Sequence, residues 1–242
     1  MNGNNIDFSG NALKGLDLHI LYEDNHIIAI NKQPSQIVQG DRTGDMPLSE
    51  IVKKYIGEKY SKPGDVFLGV VHRLDRPVSG AVLFAKTSKA LTRLNEMLRK
   101  REIRKTYWAV VRNPPPKEEE RLLHYLIRVE AKNKSFAVEE GTKNAQPAEL
   151  HYRLIGNSKT YSLLEIDLIT GRHHQIRAQL AAIGCPIKGD LKYGFPRSNP
   201  GGFIHLHARR IEFVHPVSKM NISLLAPHPD DPVWNSFTQL IP

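Results

Sequence analysis

The stretch that most constrains this chain is Gly80-Ala81-Val82-Leu83-Phe84-Ala85, a glycine opening a run of apolar residues. Such a run reads as a buried strand. Directly before it stands His72-Arg73-Leu74-Asp75-Arg76-Pro77-Val78-Ser79, which puts a carboxylate, Asp75, between two arginines. A charged loop mounted on an immobile strand can hold reactive geometry. The rest of the chain has to explain why a carboxylate is placed there.

Residues 1–17 are rich in Asn and Gly and are expected to form a flexible tail. Leu18–Tyr22 and Ile27–Asn31 read as a hairpin across Glu23-Asp24-Asn25-His26. After Pro47, the residues Leu48, Ile51, Val52, Tyr55 and Ile56 recur at helical spacing. Val66–Val71 is predicted to be a strand delivering the chain into the Asp75 loop. Beyond residues 81–85 a helix is predicted from Ser88 to Lys100, capped by Thr87, with Leu91, Leu94 and Leu98 as its apolar stripe. In the strand Lys105–Val111, Tyr107, Ala109 and Val111 share one face.

The run Asn113-Pro114-Pro115-Pro116-Lys117-Glu118-Glu119-Glu120 is a break, read as a junction between lobes of one domain spanning 18–242. Leu123–Val129, Phe136–Val138, Ala148–Leu154 and Tyr161–Ile169 are predicted to be strands. A helix is expected over Arg172–Ile183, closed by Gly184 with Pro186 beyond it. Phe203–Phe213 and Asn221–Leu225 read as further strands, with a short helical tail near Pro232–Leu240. Mostly β structure with about three helices and no regular βαβ alternation predicts an α+β fold with a mixed, mainly antiparallel sheet.

Charge narrows the partner. Lys and Arg number 34 against 25 Asp and Glu, a net +9, which suits a polyanion such as nucleic acid. Arg93, Arg99, Lys100, Arg101, Arg104 and Lys105 lie within one short segment that has only Glu96 and Glu102 to offset them. No apolar run approaches the roughly 18 residues of a membrane span, and the start of the chain lacks a secretory signal, so a cytoplasmic location is expected. A single cysteine, Cys185, excludes an internal disulfide and is read as a buried small apolar residue.

There is no Gly-rich phosphate loop, no H-E-x-x-H and no G-x-S-x-G. The pairs His173-His174 and His205 with His207 invite a metal. However, adjacent histidines on a helix diverge by about 100°, and no carboxylate stands at a helical spacing beside them. Structural or RNA-contacting roles, without metal, are expected. What remains is carboxylate chemistry on a basic surface. An aspartate in such a loop can simply cap a turn, or it can be held by a guanidinium, with Arg73, Arg76, Arg172 and Arg177 as candidates.

The run HRLDRPVSG resembles the H-R-L-D-x-x-T-S-G signature of the RluA family of pseudouridine synthases. Gly171-Arg172-His173-His174-Gln175-Ile176-Arg177 is similar to that family's G-R-x-H-Q-I-R. Lys105 through Val111 resembles its K-x-Y-x-A-x-V strand. Gly184 through Gly194 resembles G-x-P-I-x-G-D-x-x-Y-G, and Leu206-His207-Ala208 with His215-Pro216 resembles the closing block. The resemblance implies the pseudouridine synthase fold, two lobes around a central cleft, and isomerisation of uridine in ribosomal or transfer RNA with no cofactor. It implies Asp75 as the catalytic carboxylate, Arg177 as its ion-pair partner and Tyr107 as the aromatic residue that stacks on the target base. Arg73 matches an arginine that helps displace the target, and His72, Arg172, His174 and Gln175 are expected around the RNA. A monomer is expected. Some members carry an S4 RNA-binding domain, which is not expected in the few residues before the first strand.

Two positions depart from the signatures: Val78 stands for threonine, and Gln179 for a histidine that often follows Q-I-R. A catalytically silent RNA-binding protein on the same fold is the rival reading. It would need the basic surface but not the set Asp75, Tyr107 and Arg177. A carboxylate-dependent RNA glycosidase or nuclease would lack the second acid that glycosidic hydrolysis normally uses.

Overall fold

A computed structural model describes residues 18–41 and 43–240, so the expected tail lies outside the described residues. The chain opens with β1 (Ile20–Glu23), β2 (Ile27–Lys32), α1 (Leu48–Lys59), β3 (Gly69–Val70) and β4 (Ser79–Ala85). α2 (Ser88–Arg99), β5 (Arg104–Val111), β6 (Glu119–Val129), β7 (Lys134–Val138), β8 (Gln146–Asn157) and β9 (Ser162–Leu168) follow. The last part holds α3 (Gln175–Ala182), β10 (Leu206–Val214), β11 (Asn221–Leu225) and α4 (Pro232–Asn235). All strands join one mixed sheet in the order β1-β2-β4-β10-β5-β9-β8-β6-β7, with β3 added to β4 and β11 to β10. Among these pairings only β4 with β10 is parallel.

The run that opened the sequence argument sits at the centre of this arrangement. Val82 and Phe84 face a core that includes Leu48, Val52 and Ile56 of α1. Ala81, Leu83 and Ala85 face a second core with Ala90 and Leu94 of α2. Because both faces of β4 are covered, its sequence is continuously apolar rather than alternating. Burying a side chain of the size of Leu or Phe contributes about 1.5–3 kcal/mol, which makes β4 a rigid mount. β5 is divided the same way: Tyr107, Ala109 and Val111 enter the first core, and Trp108 and Val110 pack with Trp234 and Phe237. α2 begins as expected, with Thr87 Oγ1 accepting from the Ala90 N–H at 3.2 Å.

Several boundaries differ from the sequence expectation. The strand predicted over 66–71 shrinks to Gly69–Val70, which pairs with Ala85 and Phe84 of β4. The other end of that same edge of β4 is taken by β10, through Ser79 and Gly80. The helix predicted from Arg172 starts at Gln175, because His174 adopts a left-handed backbone (φ 53°) that cannot continue a helix. Its C-terminal end does close as expected: Gly184 has φ +78°, and the Cys185 N–H returns to the Leu180 carbonyl. The tail is α4 plus a short 3-10 turn at Thr238–Leu240.

Gly80 is required where the reactive loop joins β4. Its φ is +114°, and a Cβ there would lie 2.4 Å from the Ala208 carbonyl oxygen. The backbone of β10 therefore presses against the mouth of the Asp75 loop at a distance that only glycine permits.

Candidate active site

The segment 72–78 crosses from β3 to β4 and is braced from several sides. His72 Nε2 accepts from the Leu83 N–H at 3.2 Å, and the Val78 N–H donates to the Asp75 carbonyl at 3.0 Å. Val78 is buried in the main core, so the backbone closes this turn at the position where the related signature has a hydroxyl. Behind the loop the fully buried Lys32 ammonium donates to the carbonyls of Gln33, Arg76 and Val78. Burial pushes this lysine down to about 7, against the pull of Asp75.

Of the four guanidinium candidates, Arg177 reaches Asp75, with Nη1 2.9 Å from Oδ2. Arg76 instead turns outward to Asp45 and Asp41. Arg172 Nε donates to the Pro147 carbonyl, and Arg73 is exposed. Arg177 is itself held from behind by Asp190, which accepts from Nε at 2.6 Å and from Nη2 at 2.8 Å. Its guanidinium also lies over the Tyr193 ring, 5.0 Å from the centroid. Burial works against the charge, but the bidentate Asp190 contact and then Asp75 outweigh it and hold the guanidinium firmly protonated. One arginine thus joins a closed carboxylate to an open one: the Asp190 side chain is 1% exposed and that of Asp75 31%.

His174 brings Nε2 to 3.4 Å from Asp75 Oδ2, while its Nδ1 lies 3.0 Å from the Tyr193 hydroxyl. That hydroxyl also accepts the Ser135 N–H. Burial pushes the imidazole down to about 3, so His174 meets Asp75 as a neutral group. His173 stacks on it with ring centroids 3.8 Å apart. Among the described residues no cluster of three or more His, Cys, Asp or Glu could hold a metal ion. Gln175 lines the same wall, but its side chain accepts from Thr170 and from the Arg172 N–H and donates to the Glu149 carbonyl. It ties the 170–175 loop to β8. Gln179 is buried beneath the helix and donates to the carbonyls of Leu122 and Ala148, joining α3 to β6 and β8.

Tyr107 comes from β5, which pairs with β10 at Ala208, the residue against Gly80. Its ring lines the cleft beside Asp75. Burial, and secondly Asp75, pushes the phenol well above its usual range, so it stays a neutral ring with an intact hydroxyl. The cleft has a volume of about 630 Å³, and Asp75 is the only carboxylate among its lining residues. Seven cations line it: Arg73, Arg99, Arg101, Lys105, Arg128, Arg172 and Arg177. Positive charge in this excess on a concave wall attracts phosphates.

The structure therefore gathers Asp75, Arg177, Tyr107, His72, Arg73, Arg172, His174 and Gln175 around one cleft. Sequence reasoning assigned nothing to Asp190, Tyr193 or Lys32, which fix Arg177, His174 and the loop. The signal for two of them was in Gly189-Asp190 and Tyr193-Gly194, where a carboxylate and an aromatic follow the arginine-bearing helix at short range.

The family described as RNA pseudouridylate synthase matches residues 26–182. The chain is 31% identical over 230 residues to tRNA pseudouridine synthase C of Pectobacterium carotovorum subsp. carotovorum, covering 86% of this chain and 58% of that protein. It is 33% identical over 234 residues to ribosomal large subunit pseudouridine synthase D of Haemophilus influenzae, covering 90% and 69% respectively. In structure it is similar to human RNA Pseudouridylate Synthase Domain Containing 4, with a TM-score of 0.76, 23% identity and 92% of each chain covered. That likeness shows the shared fold. By sequence, over most of its length, the chain belongs to the RNA pseudouridine synthase family.

Proposed function

We propose that this chain isomerises a specific uridine of ribosomal or transfer RNA to pseudouridine, with Asp75 as the catalytic carboxylate, Arg177 as its ion-pair partner and Tyr107 stacking on the target base. The observation that carries the reading is the shared guanidinium. Asp190 fixes Arg177, Arg177 fixes one oxygen of Asp75, the other oxygen has no hydrogen-bond partner among the described residues, and Asp75 lines a cation-rich cleft together with Tyr107.

A paired uridine is out of reach in a stack, so it must be extruded and held by an aromatic platform while flanking phosphates bind basic residues. The bond from N1 to C1′ then breaks, the base turns while held, C5 bonds to C1′, and the proton that C5 gives up is balanced by the one N1 takes, so nothing is added or removed overall. A fixed carboxylate in a sheltered cleft can serve the charge that develops without reorganising. Arg73, exposed on the rim, suits displacement of the target. His72, Arg172, His174 and Gln175 support the walls and approach the RNA. One chain supplies every member of the set, which favours action as a monomer. The expected cytoplasmic location suits an enzyme of ribosomal and transfer RNA. Among the described residues no helix is long and apolar enough to cross a membrane.

Pseudouridine mapped in RNA from cells producing the wild-type protein or Asp75→Asn tests this. One or a few uridines should lose modification in the variant. Identical maps would overturn the reading in favour of a silent RNA-binding protein.

A further inference from the structure

A second hollow of about 290 Å³ adjoins the main cleft, between β6, the start of β8 and the 170–173 loop. Arg128, Arg172 and His173 line both spaces. The His173 ring is a fixed partition: it stacks on His174, Nδ1 meets Ser135 Oγ at 2.9 Å, and Nε2 meets Asn133 Oδ1 at 3.1 Å. Its hydrogen-bonding groups are spent on the protein itself.

Other residues of the hollow are not spent. Leu126 and the half-buried Ile127 of β6 border it, and the exposed residues Asn144 and Gln146 line it, their amides without a hydrogen-bond partner among the described residues. No carboxylate lines the space. A hollow this small, at the low end of the range for small-molecule pockets, fits one planar group rather than a stretch of chain. Apolar surface with two free amides, each a donor and an acceptor, matches the edge of an unstacked base. The shared arginines would hold the phosphates linking that base to a nucleotide in the main cleft.

Resting on the synthase reading, we infer that this hollow receives a second extruded nucleobase beside the target uridine, and that Asn144 and Gln146 read its edge. They are specificity residues remote from the Asp75 chemistry.

The test uses synthetic RNA hairpins carrying a uridine that the Asp75→Asn comparison has mapped. Each flanking position is varied through the four bases and an abasic nucleotide, and single-turnover rates are measured. At one flanking position the wild type should prefer its best base over its worst by about tenfold, with the abasic hairpin as slow as the worst, since a paired amide gives discrimination of that order. The double variant Asn144→Ala, Gln146→Ala should erase most of that ratio by slowing the best substrate. Gln146→Glu, of nearly the same shape, should re-rank the bases toward those presenting an exocyclic amine. An abasic hairpin as fast as the best base would mean that the hollow takes backbone, and would overturn the inference. So would an unchanged ratio, an equal slowing of all substrates, or an unchanged ranking in Gln146→Glu. Failure of the synthase reading itself is told apart earlier, by identical pseudouridine maps for the wild type and Asp75→Asn, before any hairpin is made.

Discussion

Both ends of β4 carry a carboxylate cluster, and the two are built to opposite plans. Beyond Ala85, Glu23 accepts from Lys59, Lys86, Tyr55 and Tyr60, which between them occupy both of its oxygens. Burial opposes its charge, but the two ammonium groups and the two hydroxyls win and push it down to about 2. Before Ser79, Asp75 has Arg177 and the neutral His174 on one oxygen, and Oδ1 has no hydrogen-bond partner among the described residues. A saturated carboxylate can only hold structure together, whereas a half-saturated one keeps lone pairs for a substrate. Charge alone does not separate the two; exposure and open valence do, the Glu23 side chain being 7% exposed and that of Asp75 31%.

That contrast can be broken most decisively at Asp75. Asp75→Asn should cut the single-turnover rate about a thousandfold or more while leaving the urea midpoint close to wild type. A variant that keeps more than a tenth of the rate would remove Asp75 from the chemistry. Asp190→Asn should act on both axes, because it strips Arg177 of its bidentate partner. A loss of about 3 kcal/mol in stability, with a rate reduction reaching about a hundredfold in the folded protein, is expected. Unchanged kinetics in that variant would show that Arg177 needs no brace.

Glu23→Gln should do the reverse of Asp75→Asn, costing about 2 kcal/mol by urea titration with the rate per folded molecule intact. Acidification offers a comparable effect elsewhere. The fully buried His207 is pushed down to about 3, primarily by burial, so below pH 6.5 the unfolded chain takes up a proton that the folded chain refuses. Its contribution is present at neutral pH and falls as pH drops toward 3, by about 2 kcal/mol at pH 5. A urea midpoint equal at pH 7.5 and pH 5 would contradict it. Arg76→Ala marks the small end: its exposed pairs with Asp41 and Asp45 should change stability by less than about 1 kcal/mol.

What could be read before the structure was the mount and the chemistry. The apolar run of β4, the Thr87 cap of α2 and the alternation of Tyr107 with Trp108 are local signals, and each survives because short-range physics sets it. Asp75, Tyr107 and Arg177 were found by resemblance, as no spacing rule joins residues separated by 102 positions. The missed pieces depend on three-dimensional neighbours. Helical spacing placed Arg172 in α3, and the left-handed His174 and the side-chain bonds of Gln175 that open that turn leave no periodic trace. Lys32 fell just beyond the strand read over Ile27–Asn31, because nothing near it in sequence says that three carbonyls await its ammonium.

The contact of Gly80 with Ala208 has a consequence in time. Ser79 Oγ bonds His207 Nδ1 across 128 residues, where β4 and β10 make the one parallel pairing among the described strands. Loops of that length close late, after local hairpins and helices have formed. During synthesis the segment bearing Asp75 leaves the ribosome long before the strand that seats it, so a nascent chain ending short of β10 has its carboxylate but not the geometry to use it. The loop is then seated only once the strand Leu206–Val214 has been made.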